Sequence, residues 1–185
     1  MNMDKYFIDR KNSVLLVIDI QERFVPHLYE KETVIKNAGI LIDAAKRLNI
    51  PILVTEQYPQ GLGRTVEILK NKLGDVNIVE KDTFSCFGEV KFREALKKIG
   101  RSHIVITGIE THVCVQQTVL DLLRDNFSVV VVKDAVSSRF ENNKKPAVKL
   151  MREAGAVVTT TESVLFQWLE RSGTPEFKDV QKLIK

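Results

Sequence analysis

At 185 residues, with 44% hydrophobic and 28% charged side chains, the chain has the length and composition of one globular domain, expected over residues 1–185, that buries its core without staples. Its 28 basic residues against 24 acidic ones give a net charge of +4, in short pairs such as Lys97-Lys98 and Lys144-Lys145, not a basic stripe with stacking aromatics, which argues against nucleic acid. The start MNMDKYFIDRKN is too charged for a signal-peptide core, and no apolar run reaches the ~20 residues of a membrane span.

In chain order, Ser13–Asp19 (SVLLVID) reads as the first strand. Val34, Ala38, Leu41, Ala45 and Leu48 then recur at steps of three and four, the apolar stripe of a helix. Pro51–Thr55 and Val76–Glu80 are the next strands, followed by a helix marked by Phe92, Ala95, Leu96 and Ile99. Ser102–Thr107 is the fourth strand, with Val115, Val119, Leu122 and Leu123 on the helix behind it. Phe127–Val132 and Ala156–Thr160 complete the strands, and Val164, Leu165, Trp168 and Leu169 put Trp168 in the core. Several of these strands are continuously apolar, as strands covered on both faces are, so the alternation predicts a parallel sheet between helices.

Ligands of such sheets bind beyond the carboxyl ends of the strands, where strand order reverses. Those ends carry Asp19, Glu56, Lys81, the segment Gly108–Cys114, and Asp134. The segment Asp19-Ile20-Gln21-Glu22-Arg23 has no glycine, so a dinucleotide or phosphate loop lacks its basis there. Cys114 falls at the start of a helix, where the dipole and a nearby Lys81 favour a thiolate; an inert buried thiol is the plainer alternative. Asp19 suits a proton acceptor for that thiol, or else a turn residue. His112 is two residues from Cys114 and points to another face; His27 and His103 are expected at the surface, and three scattered histidines make no metal site. Cys86 is expected to be non-catalytic, while Asp134 and Arg139 are expected to pair or to cap the following helix. With only two cysteines, Cys86 and Cys114, and no C-x-x-C pair, a reducing, cytoplasmic setting is expected.

VLLVIDIQERF around Asp19, KDTFSCF after Lys81, GIETHVCV around Cys114 and KDAVSSR after the fifth strand together resemble the isochorismatase-like cysteine hydrolase superfamily. TEQYPQGLG and PEFKDVQKLIK look especially like its isochorismatase-domain-containing proteins. The resemblance implies a three-layer α/β/α fold with a mainly parallel six-stranded sheet, and a catalytic aspartate, lysine and cysteine at Asp19, Lys81 and Cys114. It also implies a cis peptide between Ile109 and Glu110, oxyanion donors at the backbone N–H groups of Glu110 and Cys114, and a homo-oligomer. Gln21, Phe24, Tyr58 and Phe84 are the candidate substrate-pocket residues. Relatives that bind a metal do so after the second strand, where this chain reads Thr55-Glu56-Gln57-Tyr58, so no metal and no cofactor are expected. Relatives that cleave the isochorismate vinyl ether lack the cysteine. The implied activity is therefore hydrolysis of a small amide or related C–N substrate through a thioester. A binding module that keeps the fold, or a thiol sensor pairing Cys114 with Cys86, are the alternatives.

Overall fold

The computed structural model describes residues 3–185. Six strands, β1 (Ser13–Ile18), β2 (Ile52–Gln57), β3 (Ile78–Lys81), β4 (His103–Ile109), β5 (Ser128–Ser137) and β6 (Val157–Thr159), form one parallel sheet in the order β3-β2-β1-β4-β5-β6. The helices are α1 (Lys31–Arg47), α2 (Pro59–Leu62), α3 (Glu67–Leu73), α4 (Val90–Ile99), α5 (Gln116–Arg124), α6 (Glu141–Glu153), α7 (Thr161–Leu169) and α8 (Pro175–Val180).

The strand period of two sorts the core into layers. Leu15 and Val17 join Val34, Leu41, Leu69 and Trp168 on the face covered by α1, α3 and α7. Val14, Leu16 and Ile18 join Phe92, Val119 and Met151 on the face covered by α4, α5 and α6. All six β1 residues are buried, which is why the sequence runs apolar without alternating. Trp168 is wholly enclosed and its Nε1 donates to Ser13 Oγ at 3.1 Å, so its one polar group is satisfied.

Two expectations change. β5 runs on to Ser137, past the polar Lys133-Asp134 that end its apolar run in the sequence. Its pairing with β4 jumps from Ile106–Val131 to Gly108–Val136, and Thr107 Oγ1 donates to Ala135 O at 2.6 Å inside the irregular stretch. His103 is half-buried. It pairs with Ser13 and Ser128 at the start of β4, and its ring nitrogens are buried without a hydrogen-bond partner among the described residues. His27 is exposed.

From β1 the chain builds outward through β2 to β3, then returns to lay β4 on the opposite side of β1. The crevice is therefore between the carboxyl ends of β1 and β4. Gly108 makes that approach possible: at φ +141° a Cβ there would lie 2.3 Å from Ile18 O.

Candidate active site

Asp19 follows β1 directly and has a left-handed backbone, φ 53°, which turns its carboxylate off the strand axis. Thr55 is paired with Ile18 across the β1–β2 ladder, and its Oγ1 donates to Asp19 Oδ1 at 2.7 Å. Lys81 ends β3, with Nζ 2.8 Å from Asp19 Oδ2. The same ammonium donates to Gln57 Oε1 at 2.6 Å, Phe84 O at 3.0 Å and Thr83 O at 3.1 Å. Four acceptors thus surround three N–H bonds, which fixes the charge in place.

Cys114 comes from the turn Thr111–Val115, a π-helical start to α5 that follows the cis peptide between Ile109 and Glu110. Its Sγ lies 4.0 Å from Gln57 Oε1. The chain thus brings Asp19, Lys81 and Cys114 together from three strand ends.

The electrostatics differ from the thiolate expected at a helix start. Burial pushes the Cys114 thiol up, the Asp19 charge pushes it further, and Lys81 only partly opposes them. Burial likewise raises the Asp19 carboxyl above its usual 3.8, against the pull of Lys81 and the hydrogen bond from Thr55. For Lys81 burial favours the neutral amine, but Asp19 and the two cysteines outweigh it and the pKa rises. Burial thus favours the neutral thiol, with Lys81 as the cation beside Asp19.

These groups open on a pocket of about 110 Å³. Asp19, Cys114 and Gln57 stand at its polar end, with Gln21, Phe24 and Phe84 among its walls. Tyr58 is not in it: a left-handed backbone, φ 37°, carries its half-exposed ring over Gly61, whose added Cβ would meet that ring at 2.4 Å. Glu56 is turned away as well. Its buried carboxylate accepts from Thr65 N–H at 2.7 Å, Thr65 Oγ1 at 2.8 Å and Arg64 Nη1 at 2.9 Å, latching the loop that carries Leu62 to the pocket.

Asp134 and Arg139 do not pair. Asp134 Oδ1 accepts from Thr161 N–H at 2.8 Å and caps α7, not the helix that follows Asp134 in sequence. Arg139 binds Glu110 Oε1 through its backbone N–H at 3.0 Å and Nε at 3.1 Å, bracing the turn that carries Cys114. His112 faces away, with Nδ1 2.9 Å from Ser138 Oγ. Cys86 is fully buried and touches Thr55 Oγ1 at 3.6 Å, outside the pocket's walls.

Sequence reasoning passed over Gln57, Leu62 and Val113. Gln57 ends β2 directly opposite Lys81, a pairing set by the β2–β3 register. Among the described residues no group of three or more His, Cys, Asp or Glu is placed to hold a metal ion, and no helix is long and apolar enough to cross a membrane.

The sheet order, with a thiol, a carboxylate and an ammonium at its switch point, places the chain among parallel α/β proteins whose chemistry sits at the strand ends. Residues 13–163 match the Isochorismatase domain, and the chain belongs to the isochorismatase family, whose hydrolase fold it carries. It is 44% identical over 178 residues to the secreted isochorismatase effector Isc1 of Phytophthora sojae, covering 94% of this chain and 85% of that one. It is 38% identical over 180 residues to isochorismatase domain-containing protein 2 of Danio rerio, covering 96% and 89%. The solved structure of MAR1 ribonuclease from Caenorhabditis elegans superposes with a TM-score of 0.90 at 44% identity, covering 95% of this chain and 91% of that one.

Proposed function

We propose that the protein is a cysteine-dependent hydrolase of a small amide or related C–N substrate. The observation that supports it is the Lys81–Asp19 pair at 2.8 Å beside a thiol that opens on a pocket. The Asp19 carboxylate takes the Cys114 proton as sulfur attacks the carbonyl carbon. The C–S bond forms and the carbonyl electron pair moves to oxygen, where the backbone N–H groups of Glu110 and Cys114 receive it. One such donor is worth about 3–4 kcal/mol of barrier. The protonated Asp19 then gives its proton to nitrogen, the C–N bond breaks, and amine leaves a thioester on Cys114. Water, deprotonated by Asp19, attacks the thioester and releases the acid and the thiol.

Lys81 keeps a positive charge beside the two groups between which the proton moves. Gln57 positions the ammonium through its Oε1.

The name of the nematode neighbour raises RNA as a substrate. The pocket speaks against it: about 110 Å³ is below the ~300 Å³ where pockets for drug-sized ligands begin, and no lysine or arginine lines it. The same reading includes a reducing, cytoplasmic compartment, which two free cysteines support and which fractionation tests, since the Phytophthora relative is named as secreted. It also includes a homo-oligomer, which rests on the family resemblance and is measured by sedimentation.

The test is intact-protein mass spectrometry during incubation with a panel of small amides and, separately, an RNA oligonucleotide. Acyl mass on Cys114 with release of amine, absent in Cys114→Ala, is the expected result. Amide turnover that survives the substitution, or RNA cleavage without any acyl adduct, would defeat the proposal.

A further inference from the structure

The polar side chains on the pocket wall, the reacting groups apart, are already engaged inside the protein. Gln21 Nε2 donates to Gln57 O at 2.9 Å and Gly63 O at 2.7 Å, and its Oε1 accepts from Gln57 N–H at 2.8 Å. Gln57 gives Oε1 to Lys81 at 2.6 Å and Nε2 to Asp82 O at 2.9 Å. The Glu110 carboxylate is held by Arg139 at 3.0 and 3.1 Å. What faces a substrate's remainder is hydrocarbon: Phe24, Leu62, Phe84, Ile109 and Val113.

We infer that the acyl part of the substrate is short, uncharged and apolar, a small aliphatic carboxamide or its like. The inference rests on the amide-hydrolase reading and narrows it. The space against this wall is about 110 Å³, less than the ~150 Å³ cavity that holds benzene, and it opens to solvent, so a short acyl group is the one that fits wholly against the hydrocarbon. A carboxylate on that group would find no cationic side chain on the pocket wall, and an ammonium would meet only Asp19 and Glu110, which are already paired with Lys81 and Arg139. Arg139 does not supply that cation: its guanidinium stands 5.7 Å from the centroid of the Phe24 ring, is paired with Glu110, and is not part of the pocket wall. Specificity in such a pocket comes from fit, where one methylene changes the rate by about 10–200-fold.

Two measurements test this. The first compares kcat/KM for isobutyramide, anionic malonamate and cationic glycinamide; isobutyramide is expected to lead both by at least ~100-fold, and Phe84→Ala to shift the preference toward hexanamide by about 10-fold. The second needs no turnover. Ethyl, 2-aminoethyl and 2-sulfonatoethyl methanethiosulfonate each transfer their alkylthio group to a thiolate with loss of methanesulfinate. Their rates at Cys114, read by mass and divided by those of a free thiol, are expected to favour the ethyl reagent over both charged ones. Because the two charged reagents have opposite sign, the local field of Asp19 and Lys81 cannot disfavour both. A neutral preference in both measurements supports the inference. The same preference at the thiol without turnover of any amide removes the hydrolase reading and keeps the apolar pocket. Turnover in which malonamate or glycinamide matches isobutyramide keeps the hydrolase and overturns the inference.

Discussion

Cys86 and Cys114 pack into the same apolar layer, on the face of the sheet covered by α4, α5 and α6, and they differ in what each sulfur can reach. Cys86 is enclosed: its sulfur touches Thr55 Oγ1 at 3.6 Å, its backbone N–H donates to Thr118 Oγ1 at 2.9 Å, and burial pushes its thiol up to about 11. Cys114 is also held above the ordinary thiol value, by burial and then by Asp19, but it opens on the pocket with that carboxylate beside it. Both thiols are pushed above the ordinary value, Cys114 further than Cys86, so acidity does not mark out the nucleophile. Access to the pocket and an adjacent carboxylate do.

The largest expected effect tests the contrast at the sulfur itself. Cys114→Ala should lower kcat by on the order of 10⁶-fold, the scale seen when a nucleophile is deleted, in steady-state assays on the best amide of the panel. Asp19→Asn removes the base while keeping its shape, and a loss of about 10²–10⁴-fold is expected. If the variant kept full turnover, the distinction between the two cysteines could not rest on a neighbouring base.

A smaller effect concerns pH. Asp19 must be ionised to accept the thiol proton, and burial raises its pKa, so activity should climb with pH through a midpoint above 3.8. Thr55→Val deletes a hydrogen bond that favours the carboxylate, and should move that limb upward by about one unit. A pH–rate profile of kcat/KM reads the shift. The smallest effect belongs to the enclosed sulfur: Cys86→Ala should leave kcat/KM within about threefold and cost about 1 kcal/mol of stability in urea unfolding. A large loss of activity with unchanged stability would give Cys86 a part in the chemistry.

Much of this architecture is legible in the sequence, for local reasons. The apolar runs and helical stripes locate all six strands and helices α1, α4, α5 and α7, because burial on both faces of the sheet imposes those periods directly, whereas α3 and α6 also cover the sheet but lie outside those stripes. Asp19, Lys81 and Cys114 stand out because strand ends are where parallel sheets expose side chains. The remainder depends on which strands become neighbours. Gln57 matters only because β2 lies against β3 with Lys81 opposite, and Thr55 only because it abuts the end of β1. Arg139 reaches Glu110 across 29 residues of sequence, a contact that no spacing announces. The raised pKa of Cys114 is equally hidden. A helix start argues for a thiolate, and enclosure next to a carboxylate outweighs it.

The left-handed backbone at Asp19 restricts which amino acids can stand at the end of β1. Aspartate and asparagine are among the few side chains that settle at such an angle without glycine's help, and of the two only aspartate can accept and return a proton as a base. A glutamate would keep the acid, but with a longer arm on a backbone it tolerates poorly. At this position the curvature of the main chain and the proton transfer of the proposed reaction favour the same residue.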